Sequence, residues 1–376
     1  MTQKILFFIS EDWFFCSHFI ERASAARDAG YEVVVVTRVN ANGNNIRLAD
    51  LRLIPINFER RSINPFRELW MLRTLFRIYR TERPDIVHHI AAKPIFYGTA
   101  IARFIGVKSV VNAPVGMGYA FSSSDIKAKF LRPLIKFAYR LLLNPKGSRV
   151  IFENGEDLEA FVGSGVARRS ETVLIPGAGI DLIRFQPQIE PNGAPVVVLV
   201  ARMLRDKGIM EFLEAAELIN SMGIAARFIL VGDPDPGNPA SIPVETLQQW
   251  NGRNGVEWWG WRDDIAGVLR QAHIVCLPSY REGLPKSLLE AAASGLPIVT
   301  TNAIGCRDVV EDGVNGYLVP VKESAPLASA LLKLINDPEL RVSMGMRGRN
   351  RAESEFSSQR VISETLAVYK QLVSQS

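Results

Sequence analysis

The sequence predicts an α/β protein built from two doubly wound, Rossmann-like domains that face each other across a cleft. Three observations carry this expectation. The chain has 376 residues, more than one ordinary hydrophobic core accommodates and suited to two. Short β-branched runs alternate with helix-length amphipathic segments along the whole length, the pattern of buried parallel strands joined by right-handed crossovers. These runs also fall into two series, separated by a stretch rich in Pro, Asn and Gly.

Taken in order, the first series comprises ILFFI (5–9), EVVVVT (32–37), DIVHHI (85–90), SVVNA (109–113) and RVIF (149–152). Residues 17–30, SHFIERASAARDAG, read as the first crossover helix, with Gly30 as its stop. The stretch FQPQIEPNGAP (185–195) reads as the linker. The second series follows as VVVLVA (196–201), RFILVG (227–232), HIVCLP (273–278) and PIVTT (297–301). From about Ser343 the chain is helical to its end. The domains are therefore drawn over 1–185 and 196–376, with the terminal helix free to pack back on the first. No repeat of 20–50 residues is present.

Composition excludes several classes. Hydrophobic residues make up 47% and charged residues 22%, and mean hydropathy is +0.07, the balance of a globular protein and not of a disordered one. Apolar runs such as Val33–Val36 fall far short of the ~18 residues of a membrane span. The opening MTQKILFFIS reads as a strand and not a signal peptide, because Glu11 and Asp12 interrupt it. Three scattered cysteines, Cys16, Cys276 and Cys306, form neither a disulfide framework nor a zinc spacing and point to a reducing cytoplasm.

The net charge of +5 conceals an asymmetry. Residues 60–149 hold 17 Lys/Arg against 4 Asp/Glu. FRELWMLRTLFRIYR (66–80) and DIKAKFLRPLIKFAYRLLL (125–143) interleave cations with large apolar residues at helical spacing. Two readings stand: helices lying at an anionic membrane surface, or core-facing helices with solvated basic faces. Nucleic acid is disfavoured because no recognition motif accompanies the charge.

Two segments carry chemistry. In VLVARMLRDKGIMEFLEA (198–215) a buried strand ends at Ala201, and Arg202 and Lys207 follow before a helix opens near Gly208. Cations on such a turn suit a diphosphate. In SYREGLPKSLLEAAASGLPIVTT (279–301), Glu282 and Glu290 stand eight apart around Gly283-Leu284-Pro285. Pro285 suits the start of a helix, so Glu282 falls on the loop and Glu290 one turn inside. The first-turn N–H groups around Leu284 to Ser287 then form an anion site, with Lys286 beside it. A carboxylate on each side can accept from sugar hydroxyls.

The run EGLPKSLLE resembles the E-x7-E signature of retaining glycosyltransferases of family 4, which have the GT-B fold. Further blocks follow in the family's order: EDWFFCSHF (11–19), VNAPVGMGYAF (111–121), VIFENGEDLEAF (150–161), PGAGIDLIRF (176–185), ARMLRDKG, WGWRDDI (259–265) and PIVTTNAIGCRDVVEDGVNGYLVP. Among subgroups the chain is most similar to bacterial enzymes that build capsule, O-antigen or exopolysaccharide units.

The resemblance implies transfer of a hexosyl or N-acetylhexosaminyl unit, with retention, from a nucleotide-diphosphate sugar, most simply UDP-linked, to a glycan acceptor carried on a lipid such as polyprenyl diphosphate. It assigns Arg202 and Lys207 to the pyrophosphate, Glu290 to the ribose, Glu282 to the transferred sugar as catalytic residue, and Trp261–Arg262 to the base. It further implies a cytoplasmic enzyme, peripheral at the inner face of the cell membrane.

On the acceptor side the chain departs from the pattern. Ala113-Pro114-Val115-Gly116 stands where the family often has Thr-Val-His-Gly, and Ser10-Glu11-Asp12-Trp13 replaces a Gly-rich loop. Trp13, His88 and Gly116 are the acceptor-side candidates, His88 with the alternative of a strand-end histidine satisfied by backbone.

No metal and no cofactor are expected. The four histidines form no ligand pattern, and Asp233-Pro234-Asp235 reads as a turn. Two rival functions stay open: a nucleotide-sugar epimerase on the same fold, or a two-lobed binding protein without catalysis. A NAD-dependent oxidoreductase is disfavoured, because SEDWFF follows the first strand where G-x-G-x-x-G would stand.

Overall fold

The structure, a computed structural model, is described for residues 2–59, 64–115 and 126–374, with the backbone alone along 126–132. The chain divides into two compact units, Met1–Ala178 with Gln359–Ser376, and Gly179–Ser358.

The first unit is built on seven strands: β1 (Lys4–Glu11), β2 (Glu32–Arg38), β3 (Arg52–Pro55), β4 (Ile86–Ile90), β5 (Ser109–Ala113), β6 (Arg149–Phe152) and β7 (Thr172–Leu174). All pairings are parallel, in the order β3-β2-β1-β4-β5-β6-β7. The central strands read as continuous apolar runs because both faces are covered. Along β1, Leu6 and Phe8 feed one core and Ile5, Phe7 and Ile9 the other.

One face of this sheet carries the helices Pro65–Glu82, Ala92–Ile105 and Ile126–Leu142. Asn64 caps the first of them, accepting from the N–H groups of Phe66 and Arg67, and Pro65 occupies the first turn. Met71, Leu75 and Tyr79, four residues apart, bury its inner stripe. The opposite face is covered by Ile20–Asp28 and by the terminal helix Ser358–Ser374, which buries Val361, Val368, Tyr369 and Leu372.

The second unit has six parallel strands: β8 (Val196–Val200), β9 (Arg227–Val231), β10 (Val256–Trp258), β11 (Ile274–Leu277), β12 (Ile298–Thr301) and β13 (Gly316–Val319). Their order is β10-β9-β8-β11-β12-β13. This is the doubly wound pattern again, with one contiguous core. Among the described residues no helix is long and apolar enough to cross a membrane.

The expected domain boundaries need correction. The first unit ends at Ala178 rather than 185, and 359–376, drawn with the second domain but left free to pack back on the first, belongs to the first. The Pro-rich stretch 185–195 lies within the second unit, held by side chains whose reach no local pattern announces. Arg341 pairs with both carboxylate oxygens of Glu190 at 2.7 and 2.8 Å. His273 Nε2 donates to the Pro191 carbonyl at 2.9 Å, while its Nδ1 accepts from Val196 N–H. Arg349 donates to the Phe185 carbonyl at 2.6 Å.

Candidate functional site

In a doubly wound sheet, ligands bind beyond the carboxyl ends of the strands where the order reverses. In the second unit that point lies between β8 and β11, which are neighbours in the sheet but far apart in sequence. Arg202 and the turn Arg205–Lys207 follow β8; the loop 278–285 and the helix Lys286–Ala293 follow β11.

Close backbone contacts stitch the two connections together. Gly208 sits at φ +73°, and a Cβ there would lie 2.1 Å from the Pro278 carbonyl oxygen, so only glycine fits. Ser279 Oγ and Tyr280 N–H both donate to the Asp206 carbonyl, at 3.1 and 2.9 Å. Glu282 N–H donates to the Ile304 carbonyl at 3.0 Å, and Gly305 crosses so close that a Cβ would meet the Glu282 and Gly283 carbonyls at 2.7 and 2.6 Å. The result is a direct ion pair between Lys207 Nζ and Glu282 Oε1 at 2.5 Å, with side chains 17% and 12% exposed. A single ammonium group thus reaches both the β8 side and the loop after β11.

Glu290 lies one turn into Lys286–Ala293 and is 8% exposed. Burial pushes its carboxyl up to about 7, against the opposing pull of Lys286 and Arg184. Lys286 Nζ stands 4.0 Å away. The helix has Pro285 as N-cap with no capping side chain, so its first-turn N–H groups lie outside the helical ladder. Leu284 is buried in the core and contributes only its backbone here, whereas Ser287 is half-buried at the helix start.

On the β9–β10 side, Arg202 Nη1 meets Asp235 Oδ2 at 2.6 Å. Asp233 Oδ1 accepts from Trp261 N–H at 3.0 Å. The Asp-Pro-Asp triplet thus anchors the surrounding loops, and among the described residues no group of three or more His, Cys, Asp or Glu is placed to hold a metal. The Trp261 indole is 59% exposed and its N–H is engaged by Asp263 at 2.9 Å. Arg262 is exposed, 6.0 Å from the centre of the Trp259 ring.

Arg184 was not singled out from the sequence, although it stands in the block PGAGIDLIRF. It donates to the Asp263 carbonyl at 3.3 Å and acts on the Glu290 carboxyl, joining the Trp261 loop to the Glu290 side. A cation within that block was the available signal. Arg202, Lys207, Lys286 and the open helix turn provide the charge a diphosphate needs. The two glutamates provide acceptors for hydroxyls.

The first unit treats its three candidates differently. His88 is 0% exposed, with Nδ1 2.8 Å from the Tyr369 hydroxyl and its ring against Phe7 and Phe19. Burial, with Arg22 nearby, holds its pKa well below the ordinary value. As an acceptor-side residue it is corrected: it anchors the terminal helix from inside the core, because a strand covered on both faces leaves no open position. His89 is equally buried, on Tyr79, Thr99 and Asn112.

Trp13 is half-buried just past β1. The preceding Asp12 carboxylate accepts from the N–H groups of Trp13, Asn40 and Asn42, each at 2.8 Å. That clamp stands where the family's glycine-rich loop would be. Gly116 lies outside the described residues.

The family described as "Glycosyl transferases group 1" matches residues 194–337, and "Glycosyl transferase 4-like" matches 4–154. An N,N'-diacetylbacillosaminyl-diphospho-undecaprenol alpha-1,3-N-acetylgalactosaminyltransferase of Campylobacter jejuni is 28% identical over 85% of this chain and 86% of its own length. A UDP-Gal:alpha-D-GlcNAc-diphosphoundecaprenol alpha-1,3-galactosyltransferase of Escherichia coli is 27% identical over 83% of this chain and 82% of its own.

Among solved structures, sucrose-phosphate synthase from Thermosynechococcus elongatus has a TM-score of 0.80 at 21% identity, covering 100% of both chains. Anabaena HepE in complex with UDP and glucose has 0.79 at 21%, covering 97% of this chain and 99% of its own. The two family matches account for most of the chain and the fold agrees with them: this protein belongs to the family 4 glycosyltransferases and has the GT-B fold.

Proposed function

We propose that the protein is a retaining transferase that moves a hexosyl or N-acetylhexosaminyl unit from a UDP-sugar to a glycan acceptor carried on polyprenyl diphosphate, in assembly of a bacterial surface polysaccharide. The observation that carries the donor assignment is the Lys207–Glu282 ion pair, with Arg202 on the β8 side and Glu290 one turn into the helix. Arg202, Lys207 and the N–H groups of Gly283, Leu284, Lys286 and Ser287 take the diphosphate, with the Lys286 ammonium adding charge. Glu290 accepts from the ribose, Glu282 from the transferred sugar, and the Trp261–Arg262 segment lies under the base. The UDP donor and lipid-linked acceptor are supported by the names of the relatives from Campylobacter jejuni and Escherichia coli and by the ligands of HepE.

In the reaction the acceptor oxygen bonds to the anomeric carbon as the bond to the β-phosphate oxygen breaks. The acceptor's proton passes to the departing phosphate. Glu282, neutralised by Lys207, is a poor nucleophile, which favours departure and attack on one face of the sugar. Charge on the leaving diphosphate is met by guanidinium, ammonium and backbone N–H groups, so this reading calls on no metal or cofactor.

The same reading has the first unit dock at the inner face of the cell membrane. Its three-helix layer contains eleven Lys/Arg and two Asp/Glu, and Glu68 and Glu82 are already paired, with Lys93 and with Lys4 and Arg52. Phe66, Leu69 and Trp70 on one helix, Phe104 on the next, and Leu134, Phe137 and Leu141 on the third are exposed. The helices adjoin through Phe76–Phe104 and through Arg103 on the Leu141 carbonyl. Aromatic and aliphatic side chains among cations suit an anionic lipid surface.

A thermal-shift panel of UDP-, GDP- and ADP-sugars, followed by NMR of the product's anomeric configuration, tests the reading. Stabilisation by the UDP-sugars and a retained anomer are expected. Stabilisation by GDP- or ADP-sugars alone contradicts the donor, and an inverted product contradicts the mechanism. Turnover of the nucleotide sugar without acceptor would favour the epimerase.

A further inference from the structure

We propose that Tyr280, gripped by Glu211, is a positioning residue that holds the Glu282 loop against the Lys207 turn in the geometry needed for transfer. The inference rests on the donor reading above. Glu211 is the third residue of the helix Ile209–Ser221, which continues directly from the turn bearing Lys207. Tyr280 stands two residues before Glu282, on the opposite connection. Its hydroxyl donates to Glu211 Oε1 at 2.6 Å.

The other carboxylate oxygen, Oε2, is buried and has no hydrogen-bond partner among the described residues; Glu211 as a whole is 8% exposed. A buried carboxylate with half its acceptor capacity unmet costs stability, and an apolar side chain would fill the space without that cost. What the carboxylate does secure is a charge-assisted bond across the two connections that form the donor site.

The Tyr280 ring is fixed from elsewhere as well. Lys322 Nζ stands 5.0 Å from its centre. Burial and the neighbouring Glu211, Asp206 and Glu214 push the phenol well above its ordinary pKa, so it stays a donor. Two further tethers, from Ser279 Oγ and Tyr280 N–H to the Asp206 carbonyl, join the same connections through the backbone. Removing the phenol oxygen alone therefore leaves the loop attached but its outer end less constrained, and that end carries Glu282.

The test compares Tyr280→Phe, Glu211→Ala, Glu211→Gln and Glu282→Gln in the full chain, measuring kcat, donor KM, UDP affinity and melting temperature. Small displacements of a reacting group cost up to about a hundredfold in rate. Tyr280→Phe and Glu211→Ala are expected to lower kcat about tenfold, with UDP affinity within about twofold of native. Glu211→Gln keeps an acceptor oxygen for the phenol and is expected to retain kcat within about threefold.

If Tyr280→Phe and Glu211→Ala keep full kcat, or lose only melting temperature, while Glu282→Gln is impaired, the positioning role is overturned and the donor reading survives. If Glu282→Gln itself keeps full kcat, both fall.

Discussion

Glu282 and Glu290 are carboxylates eight positions apart, and their surroundings differ sharply. Glu282 is held by an ammonium group at 2.5 Å, whereas Glu290 is buried with Lys286 Nζ only at 4.0 Å. In the proposed donor pose Glu282 contacts the part of the sugar where charge develops, and on that proposal Glu282→Gln should lower kcat by at least about tenfold and leave KM little changed. UDP should bind this variant as tightly as native or more tightly, because Lys207 is released from its partner. Steady-state kinetics with UDP calorimetry check this; weaker UDP binding with full kcat would exchange the roles of the two glutamates.

Glu290 makes a pH prediction of definite sign. Its folded pKa of about 7 lies above the ordinary 4.5, so the protonated carboxyl is the form the fold prefers. That contribution is complete below about pH 4.5 and is lost as pH rises through about 7, a fall of about 3 kcal/mol. Urea midpoints at pH 5 and pH 8 should therefore differ more in native protein than in Glu290→Gln. A ribose hydroxyl donating to the carboxylate favours the ionised form, so between pH 6 and pH 8 UDP affinity should rise more steeply in native protein than in the variant, where only the phosphate's own ionisation acts. Identical pH profiles would remove Glu290 from the ribose.

Much at this scale was legible in sequence. Arg202, Lys207, Glu282 and Glu290 announce themselves by spacing around a strand end and a helix start, and the structure brings them to one sheet end. Arg184 and Tyr280 do not, since each acts through a partner dozens of residues away. His88 misled because a strand-end histidine looks the same in sequence whether it faces a site or a core.

Among the elements, the strands declared themselves through apolar runs, and helices such as Pro65–Glu82 through caps and periodicity. The exception is 185–195, fixed by Arg341 and His273; the terminal helix is legible as a helix, but its anchor, Tyr369 on His88, is not. One junction is strained. Ala91, between β4 and the helix Ala92–Ile105, adopts φ 77° and ψ 165°, a region essentially reserved for glycine. Ala91→Gly should relieve about 1–3 kcal/mol of strain against a chain-entropy cost of about 0.5–1 kcal/mol, for a net gain near 1 kcal/mol. Denaturant unfolding measures it directly. A destabilised variant would show that the alanine methyl packs well enough to outweigh its backbone.

For the whole molecule, charge and chemistry belong to different halves. Residues 60–149 carry 17 Lys/Arg against 4 Asp/Glu, while the residues proposed for the donor site lie in the second unit. The basic three-helix layer should bring the protein onto anionic vesicles and not onto neutral ones. Each basic residue near the surface contributes about 1 kcal/mol, and salt screens it within about 10 Å at 0.1 M. Co-sedimentation at low and high salt tests this, and Phe66→Ser with Trp70→Ser should weaken the low-salt binding. Equal recovery under all conditions would mean that these faces are simply solvated.

The most direct measurement is a calorimetric titration of UDP into the native protein, Arg202→Ala and Lys207→Ala. Loss of a hydrogen bond to a charged group costs about 1.5–3 kcal/mol. The native protein should bind UDP, and each variant should bind it at least about tenfold more weakly. Lys207→Ala should suffer more, since it also leaves Glu282 unpaired beside the phosphates. UDP affinity unchanged in both variants, or no UDP binding to the native protein, would contradict a donor site at the carboxyl ends of β8 and β11.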